Sequence, residues 1–261
     1  MRVEDYLARL DCASRSEPSA ENLRVLQRAH LERVPFENLD IHLGRPIVLD
    51  LPSLHDKIVR RRRGGFCYEL NGLFAWLLGE LGYSVTLLSG RVSDGERLGP
   101  EFDHMALLVE CEGRWLVDVG FGDSFLEPLL LEPAREVGQP WSRYWLEERA
   151  GVWRVVRLRD GVSSSQYEFT LAPRRLEDFA AMCRHHQTSP DSHFTRQVTC
   201  SRAMLPHGRL TYSGGRLILT VHARRYELPI TRWADLEHVL RNRFGIELGS
   251  AEAVKRLLAK G

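Results

Sequence analysis

Hydrophobic positions in the first eighty residues recur at intervals of three and four, which is the spacing of amphipathic helices. The first helical face is formed by Val3, Tyr6, Leu7 and Leu10. Ser19 is placed to cap a second helix, and Pro52 stands where a third would begin, since its fixed backbone angle suits a first helical turn. Leucines and Phe74 then recur at helical spacing from Cys67 to about Gly82. The N-terminal part is therefore predicted to be mostly helical.

After Ser84 the pattern changes to short β-rich segments separated by Gly, Asp and Pro turns. The predicted strands in this middle part cover residues 85–88, 104–110, 115–119 and 153–158. A second change follows Pro173, where a helix is predicted over residues 176–186. The remainder is predicted to hold strands over 209–212, 217–221 and 224–228 and two helices over 233–244 and 251–259. Helical, β-rich and mixed parts in this order indicate an α+β fold.

Composition and charge exclude some classes of function. The 36 basic and 35 acidic residues of the 261-residue chain give a formal net charge of +1, which argues against nucleic acid as the main partner. No apolar run approaches the length of a membrane span, and the acidic, amphipathic start does not resemble a signal peptide. Five widely spaced cysteines without a CxxC pair suit free thiols in a reducing cytoplasm. His185, His186 and His193 match no common ligand spacing, so no metal site is predicted.

Cys67 stands where a paired-glycine turn passes into the helix predicted above. The free N–H groups and the positive dipole end of a helix N-terminus favour a thiolate over a thiol. Gly64 and Gly65 let backbone approach the sulfur without interference from a Cβ atom. We therefore expect a nucleophilic cysteine whose pKa lies below those of the other four. The alternative is a buried, inert cysteine that opens a core helix.

A nucleophilic cysteine needs a base, and the base needs an orienting partner. One predicted β-hairpin carries both residue types, with His104 on its first strand and Asp118 on its second. A two-residue loop would pair Leu107 with Asp118 and put His104 on the other face. A three-residue loop, with Gly113 in the left-handed position, would pair Ala106 with Asp118 and make His104 its diagonal neighbour. Taken singly, an ordinary strand histidine and a solvated or capping aspartate are the alternatives.

Two other aspartates compete for the orienting role. Asp103 adjoins His104 and should point to the opposite face of the strand, and Asp123 lies beyond a glycine turn. That turn, Gly120–Phe121–Gly122, follows the second strand of the hairpin and is able to hold backbone N–H groups toward a phosphate or an acyl oxygen. A plain turn is the alternative, and the segment lacks the GxGxxG pattern of a dinucleotide-binding fold.

Five short sequence blocks follow one another along the chain. They are Val34–Leu39 (VPFENL), Arg63–Asn71 (RGGFCYELN), His104–Met105, Val117–Gly122 (VDVGFG) and Ser189–Thr195 (SPDSHFT). These blocks resemble the signature of the arylamine N-acetyltransferase family. The resemblance implies an N-terminal helical bundle (1–83), a central β-barrel (84–185), and a connecting segment with a C-terminal α/β lid (186–261), arranged around a cysteine-protease-like catalytic core.

The same resemblance implies roles for individual residues. The catalytic residues would be Cys67 as nucleophile, His104 as its base and Asp118 as the orienting group. Residues expected at the co-substrate are Gly120, Phe121, Gly122 and Ser124. Those expected to line an aromatic acceptor pocket are Phe36, Tyr68 and Phe194. Arg63 is expected to pack inward against Glu37 or Asn38 and hold the cysteine loop.

The implied reaction is acetyl transfer from acetyl-CoA to an arylamine or arylhydrazine through an acetyl-cysteine, by a ping-pong mechanism. O-acetylation of N-hydroxyarylamines is a further implied activity. Acetyl-CoA is then a co-substrate, and no permanently bound cofactor is expected. Alternatives are an amide synthase of the same family in polyketide antibiotic synthesis and a transglutaminase-like cysteine hydrolase, which peptide amides rather than CoA thioesters would acylate. A non-catalytic CoA-binding protein, which would form no acyl-enzyme, is an alternative from another class.

Overall fold

The structure is a computed structural model that describes residues 1–12, 17–205, 208–221 and 224–260. Its N-terminal helices are α1 (Val3–Leu10), α2 (Ala20–Arg33), α3 (Leu39–Leu43), α4 (Leu51–His55) and α5 (Cys67–Glu80), with a π-helical turn (Asp56–Arg60) after α4. The hydroxyl of Ser19 accepts from the Asn22 N–H at 3.2 Å, so the predicted cap of α2 is confirmed. Within the described ranges no helix is both long and apolar enough to cross a membrane.

Helix α5 lies at the centre of the N-terminal part. Leu70, Leu73, Phe74 and Leu77 are fully buried in a core that also takes residues from α1, α2 and α4 and from the adjoining sheet. Burial on several faces follows from the apolar composition of the helix and fixes its position in the fold. The start of α5, and with it Cys67, is therefore held on a rigid element.

The central part is an antiparallel sheet of eight strands, and its two ends approach each other. The strands are β2 (Ser84–Val92), β3 (His104–Glu110), β4 (Arg114–Val117), β5 (Leu129–Leu130), β6 (Val137–Gln139), β7 (Ser142–Arg149), β8 (Val152–Arg159) and β9 (Val162–Phe169). Their order is β5-β4-β3-β2-β9-β8-β7-β6. A bridge between Pro133 and Leu146 links the segment after β5 to β7, which makes the sheet a nearly closed barrel.

A second, five-stranded sheet belongs to the C-terminal part. It comprises β1 (Phe36–Glu37), β10 (Thr199–Met204), β11 (Gly208–Ser213), β12 (Arg216–Val221) and β13 (Arg224–Pro229), hydrogen-bonded in that order. The helices of this part are α6 (Ala180–Thr188), α7 (His193–Arg196), α8 (Trp233–Phe244) and α9 (Ala251–Leu258), and a 3₁₀ turn (Leu176–Phe179) precedes α6. The helical bundle, β-barrel and α/β lid expected from the resemblance are thus present.

The N-terminal and C-terminal parts share a core as well as a sheet. Leu39 and Leu43 of α3 pack with Val198, Leu240 and Leu257, which come from the C-terminal part. Because β1 pairs with β10, the chain visits the C-terminal sheet before it forms the helix that carries Cys67. This crossing brings β1, α5 and the barrel to one place, where the candidate site lies. The exact domain boundaries given above stay a prediction.

Candidate active site

Cys67 is the first residue of α5, and only 3% of it is exposed. The preceding turn brings two backbone segments very close, since a Cβ atom on Gly64 would overlap the carbonyl oxygen of Pro35. The Glu69 carboxylate accepts from the Phe66 N–H at 3.2 Å and so binds one of the free donors at the helix start. The glycine turn is therefore required by close packing, and it fixes where the cysteine sits.

Arg63 points inward beneath this turn and is buried together with its partners. Its Nε donates to Glu37 Oε1 at 2.9 Å and its terminal nitrogen lies 3.0 Å from Asp40 Oδ1. Lys57 Nζ lies 2.8 Å from Asp40 Oδ2 and 2.7 Å from Glu69 Oε1, which extends the network to α5. The expected contact with Glu37 is confirmed, whereas the sequence did not indicate Asp40. Each of these buried charges has an oppositely charged partner, which offsets the cost of removing it from water. The network also links β1 to the turn that precedes Cys67.

The hairpin that carries His104 and Asp118 has the three-residue loop. Glu110 pairs with Arg114 and Leu107 with Val117, and continuing this register places Ala106 opposite Asp118. The αL conformation in this loop is adopted by Glu112, with a φ of 49°, and not by Gly113, whose φ is 146°, so the prediction that Gly113 takes the left-handed position is wrong. His104 Nε2 lies 2.7 Å from Asp118 Oδ2, and both side chains are buried. The predicted diagonal contact is confirmed.

Asp118 receives three further hydrogen bonds. Asn71 Nδ2 donates to its Oδ1 at 2.9 Å, the Gly120 N–H to the same oxygen at 2.8 Å, and the Tyr167 hydroxyl to Oδ2 at 3.1 Å. Burial alone would raise the pKa of Asp118, but the His104 contact and the hydrogen bonds from Asn71 and Gly120 lower it. The carboxylate is therefore held as an anion that fixes the His104 ring, with Nε2 engaged and Nδ1 left for other partners.

Asn71 and Tyr167 were not assigned a role from the sequence. Asn71 lies four residues after Cys67, so the two side chains share a face of α5, and this spacing was the available signal. Tyr167 stands on β9, which the sequence analysis did not predict because polar residues such as Ser163 and Ser164 dominate that strand. Only the barrel pairing brings Tyr167 to Asp118.

The competing aspartates both have partners other than His104. Asp103 Oδ1 lies 3.2 Å from Nε2 of His186. Asp123 lies 2.8 Å from Arg159 and 3.2 Å from Arg209. The assignment of Asp118 as the partner of His104 is therefore supported by position as well as by distance. Among the described residues, no three His, Cys, Asp or Glu side chains converge as a metal ion would require.

The electrostatics of Cys67 contradict one expectation. Burial raises the pKa of the Cys67 thiol well above its usual value, a hydrogen bond from the Met105 backbone lowers it, and the charges of Asp118 and Asp103 raise it further. Desolvation thus outweighs the helix terminus, and the prediction that the pKa of Cys67 lies below those of the other four cysteines is contradicted. A thiolate at this buried position requires a cationic partner, and protonated His104, fixed by Asp118, is placed to supply it.

Cys67 and His104 share a cleft of about 590 Å³ with several aromatic and polar residues. Its wall includes Phe36, Gly120, Phe121, Phe194, Asp103, His193 and, toward the solvent, Asp94 and Arg97. The ring centroids of Phe36 and Phe194 are 6.1 Å apart. A largely apolar cleft that ends at a sulfur and an imidazole has the shape and chemistry of an acyl-transfer site.

Three residues expected in this cleft do not line it. Tyr68 is fully buried outside the cleft lining. Its hydroxyl donates to the Phe102 carbonyl at 2.7 Å. Gly122, with a φ of 92°, turns the chain behind the Phe36 ring, and Ser124 is buried beyond that turn. Gly120 and Phe121 line the cleft, so the first half of the Gly120–Phe121–Gly122 turn faces it.

Comparison with known proteins identifies the family. The N-acetyltransferase family model matches residues 19–254. The chain is 32% identical to the arylamine N-acetyltransferase pineal gland isozyme NAT-3 of Gallus gallus over 95% of each chain. It is 33% identical to the arylamine N-acetyltransferase / N-hydroxyarylamine O-acetyltransferase of Salmonella typhimurium, over 92% of this chain and 87% of that one.

The fold agrees with these sequence matches. A Mycobacterium marinum arylamine N-acetyltransferase solved in complex with CoA superimposes with a TM-score of 0.91 at 30% identity, and 99% of each chain is covered. The similarity therefore extends through the helical bundle, the barrel and the lid, and includes every element that builds the cleft. From sequence and structure together, the chain belongs to the arylamine N-acetyltransferase family.

Proposed function

We propose that this protein transfers the acetyl group of acetyl-CoA to small arylamines and arylhydrazines through an acetyl-cysteine at Cys67. The observation that carries the proposal is the His104–Asp118 contact at 2.7 Å beside Cys67 in one cleft. Acetyl-CoA is a co-substrate here, and no permanently bound cofactor is invoked. The CoA complex of the Mycobacterium marinum relative and the substrates in the names of the other relatives support this substrate class.

In the first half-reaction, Nδ1 of His104 takes the thiol proton of Cys67, and the resulting thiolate attacks the thioester carbonyl of acetyl-CoA. The C–S bond to Cys67 forms, the electron pair of the carbonyl moves onto oxygen, and backbone N–H groups that include that of Cys67 stabilise the oxyanion. CoA leaves as a thiolate and takes the proton from His104. Attack and release exchange one thioester for another, so neither step is strongly uphill.

In the second half-reaction, an arylamine enters the space that CoA has left. Its nitrogen attacks the acetyl-cysteine, Nδ1 of His104 accepts a proton from that nitrogen, and the Cys67 thiolate leaves. Asp118 stabilises the imidazolium in both halves and is not itself protonated. An N-hydroxyarylamine would use its oxygen in the same way, which is the proposed O-acetylation.

The test is to detect the acetyl-enzyme. Mixing the protein with acetyl-CoA and no amine should release one CoA per chain and add the mass of one acetyl group to the peptide that contains Cys67, as seen by mass spectrometry. Adding an arylamine should remove that mass and yield the acetylated amine. Cys67→Ala should bind CoA without gaining the mass.

Two results would overturn the proposal. Product formation without any acyl-enzyme, with intersecting lines in two-substrate kinetics, would show direct transfer. Acylation of Cys67 by glutamine peptides but not by acetyl-CoA would indicate the transglutaminase-like alternative. All five cysteines are free thiols, which suits the cytoplasmic location proposed for this enzyme.

A further inference from the structure

Strand β13 forms an open edge of the C-terminal sheet. It is the last strand in the order β1-β10-β11-β12-β13, and within the described ranges no other strand pairs with its outer side. All six of its residues, from Arg224 to Pro229, are exposed. An unpaired edge presents backbone N–H and C=O groups that can bind a further strand. The side chains and backbone groups of β13 therefore decide which partner fits it.

The apolar residues of β13 lie on one face of the sheet. Tyr226 pairs with Leu219 and Leu228 pairs with Leu217, and both of these β12 residues pack against the C-terminal core. Tyr226 and Leu228 thus continue the core-facing side of the sheet, yet they are 54% and 59% exposed. Two large apolar side chains next to each other on one exposed face indicate a surface that a partner covers.

The outward-facing backbone groups of β13 follow from a hydrogen bond at the base of the β12–β13 hairpin. The Ile230 N–H donates to the Gly215 carbonyl at 2.8 Å, and this pair continues the register of the two strands. Hydrogen-bonded and non-hydrogen-bonded pairs alternate along an antiparallel ladder, so every second residue counted back from Ile230 bonds toward β12. The residues between them direct their backbone groups outward: Arg225, Glu227 and Pro229. Of these, only Arg225 and Glu227 offer both an N–H and a C=O, because proline has no N–H.

The charges on these two residues are self-complementary. When two copies of β13 pair antiparallel about a two-fold axis at Tyr226, Arg225 of each copy stands opposite Glu227 of the other. An axis at Arg225 or at Glu227 would put like charges directly opposite each other, which is destabilising. An axis at Leu228 would pair Glu227 with Pro229 and lose a backbone hydrogen bond. Of these registers, only the one centred on Tyr226 combines opposite charges with complete hydrogen bonding.

We propose that β13 is a self-association surface, through which two copies of the chain form a symmetric dimer by antiparallel pairing about Tyr226. Each Arg225–Glu227 pair exchanges both of its backbone hydrogen bonds, and the two five-stranded sheets become one continuous sheet. The Tyr226 side chains meet at the axis and cover each other's apolar surface. Exposed ion pairs add little affinity, so the charges select the register, and the small interface gives a dissociation constant on the order of micromolar. The dimer does not depend on the proposed function.

The first test is the oligomeric state of the full chain and of charge variants. Sedimentation velocity between about 1 and about 500 µM should show wild-type protein passing from monomer to dimer. Glu227→Arg places arginine opposite arginine at both pairs and should raise the dissociation constant roughly tenfold or more. Arg225→Glu combined with Glu227→Arg restores opposite charges and should recover the wild-type constant within about threefold. The double variant is thus the matched control for the single one, and melting temperatures verify that both fold.

Cross-linking tests the register independently of the charges. Opposite residues of a non-hydrogen-bonded antiparallel pair have Cα atoms about 4.5 Å apart, a distance that a disulfide can span. Tyr226→Cys places a thiol at the axis, so oxidation with copper phenanthroline should link two chains. Leu228→Cys is the matched control, because its side chain is similarly exposed but lies four residues, about 13 Å, from its counterpart across the axis. Wild-type protein gives the background from the partly exposed Cys12 and Cys111.

Three results would overturn the inference. Wild-type protein that stays monomeric up to about 500 µM would leave the edge to a partner other than a second copy. A dimer that Glu227→Arg does not weaken, or that the double variant does not restore, would not use this register. Cross-linking of Leu228→Cys as readily as Tyr226→Cys would place the axis elsewhere.

Discussion

His104 contacts Asp118 diagonally across the β3–β4 hairpin, two residues along from Ala106, which stands opposite Asp118. Side chains two apart on a strand share a face, so the diagonal contact exists only while the loop keeps three residues. The 2.7 Å separation of Nε2 and Oδ2 is thus a consequence of hairpin register.

Asp118→Asn should preserve the fold and reduce acetyl-CoA-dependent acylation by roughly three orders of magnitude. An amide cannot stabilise imidazolium, and its NH₂ group would face a donor in either orientation: Asn71 and Gly120 at the Oδ1 position, or Tyr167 at the Oδ2 position. Single-turnover CoA release measures the effect, and the melting temperature reports the fold. Asp123→Asn is the control for loss of one carboxylate on the adjoining loop. Wild-type acylation in Asp118→Asn would disprove the orienting role.

Limiting iodoacetamide should alkylate Cys67 before the other cysteines, because a thiolate forms there with protonated His104. His104→Gln should slow this labelling by about a hundredfold, since burial then keeps the Cys67 pKa high without a base to accept the proton. Peptide mapping identifies the labelled residue. Cys183 and Cys200 are buried, so the informative competitors are Cys12 and Cys111. First labelling of either would contradict the prediction, as would an unchanged rate in His104→Gln.

Gly120→Ala should reduce acyl transfer by about a hundredfold with a smaller effect on stability, because the active-site elements must move apart. A Cβ atom on Gly120 would lie 2.7 Å from Cys67 Cα and 2.7 Å from Asn71 Nδ2. Gly138→Ala is the matched control, since a Cβ atom there meets nothing within 4 Å. Steady-state rates and thermal melting separate the two effects. Equal activity of both variants would show that the turn tolerates the displacement.

Asp123→Asn should make the protein less sensitive to acid. Burial opposes ionisation of Asp123, but Arg209 and Arg159 hold its pKa below the ordinary range. A folded-state pKa below the unfolded one contributes stability above about pH 4, which is lost as the pH falls further. The difference in unfolding free energy between wild type and variant should therefore shrink between pH 6 and about pH 3 in urea titrations.

The exposed Asp191→Asn serves as the control for this experiment, and its stability should follow the wild type across the range. A constant difference between Asp123→Asn and the wild type at all pH values would show that the arginine contacts add no pH-dependent stability. Because Arg159 lies on β8 and Arg209 on β11, the same measurement tests whether Asp123 links the barrel to the C-terminal sheet.

The sequence alone determined the elements with strong local patterns. Helical spacing after Cys67 predicted α5, and the glycine turn before it predicted the position of the cysteine at a helix start. The sequence predicted the hairpin but left two registers possible, because the length of the loop decides which face of the sheet each residue occupies. Strands rich in polar residues, such as β9, escaped prediction because pairing with neighbours, and not their own composition, keeps them in the barrel.

Only the tertiary structure decided the contacts between distant segments and their energetics. It brought Tyr167 to Asp118 and His186 to Asp103, over separations along the chain that no periodicity encodes. It also decided the protonation chemistry of Cys67. A helix N-terminus is a local feature that a sequence reveals, whereas desolvation depends on everything packed around the sulfur, and here desolvation is the larger effect.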